Sequence, residues 1–379
     1  LVLYTDIESE TAERLVTMVN QEYDAWVKDF GELPAARDGA DFQMTGYLMR
    51  DKRVPMQLAL IPPEYLGMRT GGHKGSQFWM LDQETDYYRR HLLFHEATHC
   101  YMTIMPDTRL PKWYLEGMAE LVATHRIDQQ GRLTFRVLPE DKENFAGWGR
   151  IATIQNEVSA GRLKSIAEIR AITRIDPVQE VRDYAWSWAL CYFLDAHPRY
   201  QERFRSLNNH WRSGGFSREF DRLFADDMTE MNLEWQLFVS SLMEGYDLPR
   251  STVEFRPDSG GSTAFITAEK GWQTTGWSIV EGETYRVTAT GNVTLADDPK
   301  PWVSEPQGIT LQYFAGKPVG RLVGRVLDSQ SSNVGEIIDL GRERTWTASE
   351  SGVLFLRIND AWNSLENNQG SYQVRLESP

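Results

Sequence analysis

Cysteine is nearly absent: two residues in 379, Cys100 and Cys191, at a spacing that matches no zinc or redox motif. They leave two readings open, a bridge between helices or two buried free thiols, and they do not decide the compartment. No apolar run approaches the length a spanning helix needs, so no membrane span is expected within these residues. Positive charge is in deficit, with 40 Lys and Arg against 54 Asp and Glu, for a net charge of −14. An acidic chain is repelled by nucleic acid and by anionic membrane surfaces, so neither is an expected partner. The first residue is Leu1, so the expectation is a trimmed chain in which an export leader would leave no trace.

What is present suits a folded protein of two or three domains: 41% hydrophobic residues and thirteen Trp. Leu15, Met18, Val19, Tyr23 and Trp26 recur at helical spacing and predict a helix over 9–30. Strands are expected within 41–50 and 77–81, separated by a flexible loop at Gly71-Gly72-His73-Lys74-Gly75. A hairpin is expected around Gln129-Gln130-Gly131. From about 145 to 243 the pattern is helical, with breaks at Gly161, Pro177 and Ser213-Gly214-Gly215. After Pro249 short alternating segments punctuated by Gly, Asp and Asn predict an antiparallel sandwich. The expected class is therefore α+β: a mainly helical domain with a small sheet at 1–250, then a β-sandwich at 251–379.

Seven histidines serve the whole chain, and two stand in His95-Glu96-Ala97-Thr98-His99. On a helix, positions i and i+4 share a face, so both imidazoles can reach one ion. Leu92, Leu93, Phe94, Ala97, Cys100 and Tyr101 make that helix apolar on nearly all sides. It is therefore buried, and buried histidines need partners. Catalytic zinc needs a third protein ligand and an open position. Glu116, in Trp113-Tyr114-Leu115-Glu116-Gly117, is the candidate ligand, and Glu96 the candidate base. Sixteen residues separate His99 from Glu116, room for a helix end, a loop through Met105-Pro106-Asp107 and a second helix. His91, one turn ahead of His95, is expected to be a hydrogen-bonded core residue.

His95-Glu96-x-x-His99 followed by Pro111-Lys112-Trp113-Tyr114-Leu115-Glu116-Gly117-Met118-Ala119-Glu120 resembles the gluzincin, thermolysin-like metallopeptidases, and most of all an uncharacterised bacterial group of them. The resemblance implies zinc held by His95, His99 and Glu116. It implies Glu120 as a hydrogen-bond partner of His95. Tyr184 opens a segment similar to a later helix of the family, which implies that its phenol faces the metal as oxyanion donor; Tyr192 and Tyr200 are alternatives. The family further implies that the strand ahead of the zinc helix, here Phe78 to Leu81, is the edge along which substrate lies.

Trp272, Gly276, the stretch Val280 to Tyr285, Pro318 to Val326, Ile358-Asn359-Asp360 and Asn367-Asn368-Gln369-Gly370-Ser371-Tyr372 resemble the galactophilic bacterial lectin domain. That resemblance implies calcium held by the side chains of Asp360, Asn367 and Asn368 and the carbonyls of Ser364 and Leu295. Carboxylates, amides and carbonyls are the hard oxygen ligands calcium takes. The same stretch also reads as a polar hairpin. Ile309 to Gly316 lacks the sugar-contacting His and Gln of that family, so another glycan, or none, is expected. Trp302 and Trp362 are candidate sugar-stacking residues.

Together these imply a secreted, periplasmic or cell-surface zinc endopeptidase acting on polypeptide or glycoprotein, with a calcium-dependent glycan-binding domain. The alternative is a non-catalytic adhesion protein with structural zinc. Hydrolysis of a non-peptide amide keeps the mechanism and changes the substrate.

Overall fold

Helix α1 (Ser9–Phe30) buries Leu15, Val19, Glu22, Trp26 and Phe30, a stripe at helical spacing, and packs on the helix that carries His95 and His99. This computed structural model describes all residues except 34–38, 40, 105–108, 177, 211–214, 256–261, 298–299, 332 and 378–379. The expected loop at Met105-Pro106-Asp107 and the breaks at Pro177 and Ser213-Gly214 lie outside the described residues. Strand β1 (Val2–Thr5) precedes α1, and β2 (Thr45–Met49), a short α2 (Arg53–Gln57), β3 (Gly71–Lys74) and β4 (Gln77–Leu81) follow. Next come α3 (Asp86–Thr103), α4 (Lys112–Ala123) and the hairpin β5 (His125–Ile127) and β6 (Leu133–Phe135). The remaining helices are α5 (Arg150–Ser159), α6 (Ile166–Arg170), α7 (Glu180–Ala196), α8 (Gln201–Ser206), α9 (Phe216–Phe224) and α10 (Met228–Ser241). No helix among the described residues is long and apolar enough to cross a membrane.

The chain forms two units. The first comprises Leu1–Ile154, Ala167–Asp195 and Tyr200–Phe224; the second comprises Gln155–Ile166, Ala196–Arg199 and Ala225–Pro379. The β-rich unit thus draws in α10 and segments upstream of the compositional switch at Pro249.

In the first unit the sheet order is β1-β2-β4-β3, parallel except for the β3–β4 pair. This corrects the expectation for Phe78 to Leu81. That segment is a strand, but it is interior, and Phe78, Trp79 and Met80 are buried. The edge is β3, formed from the Gly71–Lys74 segment expected to be a loop. Pairing with β4 overrides the weak strand propensity of two glycines. Helix α3 starts at Thr85, whose hydroxyl accepts from the Tyr88 N–H at 3.2 Å. Between α3 and α1 the Trp26 indole donates to Thr98 Oγ1 at 3.0 Å, and that hydroxyl donates to the buried Glu22 at 3.2 Å. Gly117 allows α4 to lie close on α7: a Cβ there would collide with the Ser187 carbonyl and Cys191 Sγ. Cys100 and Cys191 are both buried free thiols.

The second unit carries β7 (Thr263–Thr267), β8 (Gln273–Ile279), β9 (Thr284–Thr290), β10 (Val293–Thr294), β11 (Val303–Ser304) and β12 (Gln307–Phe314). Strands β13 (Lys317–Leu327), β14 (Ile338–Asp339), β15 (Glu343–Thr347), β16 (Gly352–Ile358) and β17 (Gln369–Glu377) complete it. One sheet runs β11-β10-β17-β9-β15 with β7 on β17, the other β12-β13-β16-β8 with β14 on β13. Val287, Ala289, Tyr372 and Val374 of the first share one core with Leu322, Val326, Leu354 and Leu356 of the second.

Candidate metal centre

Helices α3 and α4 pack side by side and turn His95, His99 and Glu116 toward one point. His99 Nε2 lies 3.1 Å from His95 Nε2 and 2.9 Å from Glu116 Oε2, and His95 Nε2 lies 3.5 Å from the same oxygen. A tetrahedral ion with bonds of about 2.0–2.2 Å needs donor atoms about 3.3–3.6 Å apart, close to these separations. The three residues could hold a metal ion. All are buried, with exposures of 6%, 1% and 2%.

The charge states of His99 and Glu116 favour a cation. Burial pulls His99 down to about 4, so the ring is neutral near pH 7. Burial also pulls on His95, but Glu116, Glu120 and Glu96 outweigh it and leave that ring raised. Burial would push Glu116 up, yet His99, His95 and Lys112 hold it well below the usual carboxylate range. Lys112, one turn ahead on α4, pairs with Glu116 Oε1 and leaves Oε2 facing the imidazoles.

A second buried network backs the first. Glu120 Oε1 lies 3.4 Å from His95 Nδ1, an ion-pair separation, and its stronger partners lie elsewhere. Arg150 grips both its oxygens, Nη2 to Oε1 at 2.8 Å and Nε to Oε2 at 3.0 Å. His91 Nε2 stands 3.1 Å from Oε2, and His91 Nδ1 3.1 Å from the Ala123 carbonyl, so His91 is the hydrogen-bonded core residue expected. His91, His95 and Glu120 also form a cluster with metal-ligand spacing. There the Arg150 guanidinium supplies the positive charge.

Glu96 is buried beside the three ligand candidates, and its Oε2 has no hydrogen-bond partner among the described residues. His73 Nδ1 lies 3.4 Å from that Oε2. His73 also stacks on His99 with ring centroids 4.2 Å apart. Gly71 and His73 share the face of β3 that meets α3, where a Cβ on Gly71 would collide with Glu96. The sequence reading passed over His73, Lys112 and Arg150. A spacing signal existed only for Lys112, four residues before Glu116. Tyr184, on α7, packs edge-on to His95 at 5.9 Å, and its hydroxyl donates to Glu180 at 3.4 Å. Burial, with Glu116, Glu180 and Glu96 nearby, raises its phenol far above the ordinary value and keeps it protonated. Tyr192 stacks on Trp188 at 5.8 Å, and Tyr200 is fully buried.

His125, packed in the same unit, makes stability pH-dependent. Its Nδ1–H donates to the Ala123 carbonyl at 2.9 Å, and its Nε2 accepts from Arg90 Nε at 3.1 Å. Burial, with Arg90 and His91 nearby, lowers it from 6.5 to about 3. A lowered basic group binds fewer protons in the folded state. Its contribution is therefore complete above pH 6.5 and is lost as pH falls toward 3. Denaturant unfolding should show the parent losing about 2 kcal/mol more than His125→Asn between pH 7 and 4.5. Parallel curves for the two proteins would refute the assignment.

In the second unit Asp360 and Asn368 come together, Asn368 Nδ2 donating to Asp360 Oδ2 at 2.9 Å. Asn368 Oδ1 is buried with no hydrogen-bond partner. Burial raises the Asp360 carboxyl. Asn367 is exposed, Ser364 half-buried, and Leu295 is buried beside β10. The polar-hairpin expectation for this stretch is replaced by a 3-10 turn over Trp362–Asn367. Trp362 corrects the sugar-stacking expectation. It is 3% exposed, packed under the Arg357 guanidinium at 3.4 Å and against Tyr246 at 4.6 Å. An aromatic ring in a polar loop finds more apolar area beneath the loop than in water. Trp302 is partly buried against the sandwich core.

No family model matches this chain, and no curated protein matches it. Among solved structures it is similar to a chain described as "EclA N-terminal domain; PllA-like lectin", at 20% identity and a TM-score of 0.26. That likeness covers 31% of this chain and 95% of the other.

Proposed function

We propose that the N-terminal unit is a gluzincin-like zinc peptidase acting within polypeptides. The observation that carries the reading is the convergence of His95 Nε2, His99 Nε2 and Glu116 Oε2 beside a buried Glu96 whose Oε2 has no hydrogen-bond partner among the described residues. Two imidazoles and one carboxylate form the donor set of hydrolytic zinc sites. Zinc bound there would lower the pKa of water to about 7 and polarise the scissile carbonyl.

The chain's own groups account for the remaining work. Glu96 takes the proton of the attacking water and returns it to the leaving amine. Tyr184, kept protonated, donates to the developing oxyanion. Lys112 fixes Glu116, while Glu120, His91 and Arg150 fix the ring of His95. Strand β3, at the sheet edge beside Glu96, offers backbone groups to an extended peptide. The Tyr65 hydroxyl donates to the His73 carbonyl at that edge.

For the C-terminal unit the reading is a lectin-like domain that holds calcium at Asp360 and Asn368 and keeps the enzyme near glycosylated material. It rests on the sequence resemblance and on the unsatisfied Asn368 carboxamide oxygen. Tethering raises local substrate concentration. An exported or surface-displayed protein fits this pairing.

Metal analysis of the parent, His99→Ala and Glu116→Ala, paired with digestion of glycosylated and deglycosylated proteins, tests the proposal. About one zinc per chain is expected in the parent and little in either variant. Cleavage should be abolished by chelators. Full zinc in a variant removes that residue as a ligand. Full zinc in the parent with no cleavage of any substrate supports the adhesion alternative.

A further inference from the structure

Strand alternation in the second unit leaves two arginines facing away from the sandwich core. In β13 and β16, Leu322, Val326, Leu354, Leu356 and Ile358 enter the core. Arg325 is paired in register with Phe355, and Arg357 with Val323, so both project from the opposite face. The end of α10 covers that face, and the arginines are buried, 7% and 4% exposed. They line a cavity of about 240 Å³ with Ser240, Trp272, Phe314 and Trp362.

Arg357 lies 3.4 Å above the Trp362 ring and 5.4 Å from that of Phe314, and it donates to the Asp360 carbonyl. Arg325 lies 5.4 Å from the Trp272 ring and donates to Ser240 Oγ at 2.5 Å. The Nε atoms of both are buried without a hydrogen-bond partner. Among the described residues no carboxylate forms an ion pair with either guanidinium. Glu350 is near enough to feel the charge of Arg325, and Asp360 that of Arg357, without forming an ion pair. Burial lowers Arg325 to about 10. Two buried, unpaired cations destabilise an empty fold, and an anion between them would relieve that cost.

We infer that this cavity binds a small organic carboxylate, held by Arg325 and Arg357, with its body against Trp272, Phe314 and Trp362. The Trp362 ring lies against the Arg357 guanidinium, and the unpartnered Nε atoms of both arginines leave donors that a planar carboxylate can meet. The cavity is larger than a tetrahedral inorganic anion requires. Its aliphatic walls, from Val239, Leu242 and Met243, favour an organic body. A benzoate- or uronate-sized acid matches the volume.

Calorimetric titration of the intact chain with benzoate, glucuronate and sulfate tests this inference, which does not depend on the peptidase reading. Saturable binding of a carboxylate is expected, weakened roughly tenfold or more in Arg325→Met and in Arg357→Met. Absence of saturable binding by both organic acids, or full affinity in both variants, overturns the inference. Sulfate binding as tightly as either acid overturns the organic assignment. Ligand-free Arg325→Met should melt no lower than the parent, because it removes an unpaired buried charge. A clear fall in its melting temperature would identify the guanidinium as a structural strut and overturn the proposal.

Discussion

Glu96→Gln is expected to lower peptide hydrolysis by roughly 10²–10⁴-fold, the range contributed by a positioned general base, while zinc content stays at the parental level. Gln keeps the volume beside Gly71, where no additional atom fits, so the packing of α3 on β3 is preserved. The amide cannot accept the water's proton. None of His95, His99 and Glu116 is altered, so metal binding does not change. Single-turnover cleavage and metal analysis on the same preparation check both halves. Turnover near the parental rate would remove Glu96 as the base. Loss of zinc would show instead that its carboxylate helps to hold the ion.

Arg150→Met should destabilise the first unit by about 3–5 kcal/mol, the usual cost of stripping a buried carboxylate of its partner. Glu120 would keep only His91 and the longer contact to His95, while its own burial is unchanged. His95 is oriented through the same carboxylate, so zinc affinity should also fall, by about 10–100-fold. Arg150→Met with Glu120→Gln should be more stable than Arg150→Met alone, because no uncompensated charge remains. Chemical unfolding and competition with a calibrated chelator read the two effects separately. If the double variant is no more stable than the single one, the loss comes from packing and not from charge.

The metal centre was legible where chemistry is local. His95 and His99 sit one turn apart on a single helix, and a period of 3.6 residues aligns them whatever lies around. Glu116 came from the resemblance of its Trp-x-x-Glu-Gly segment, and Gly117 has its reason in the close approach of α7. The strands at 45–49 and 77–81 followed from alternation. Their order in the sheet did not, because pairing partners leave no trace in a strand's own pattern. Gly71-Gly72-His73 reads as a loop in isolation, yet Gly71 is what lets β3 approach Glu96, and Gly72 makes room for the Tyr65 ring.

The sequence by itself determined the two ring nitrogens, the adjacent carboxylate, the amphipathic face of α1 and the change to β structure after Pro249. Each is a property of spacing along one stretch of chain. Tertiary structure alone decided that His73 faces Glu96, that Arg150 neutralises Glu120, and that Trp362 lies under Arg357 rather than in water. The first two pairs join elements far apart in the chain, and the third depends on how the turn after β16 folds back. A buried charge or ring is settled by whichever neighbour the packing delivers, and local periodicity carries no record of that neighbour.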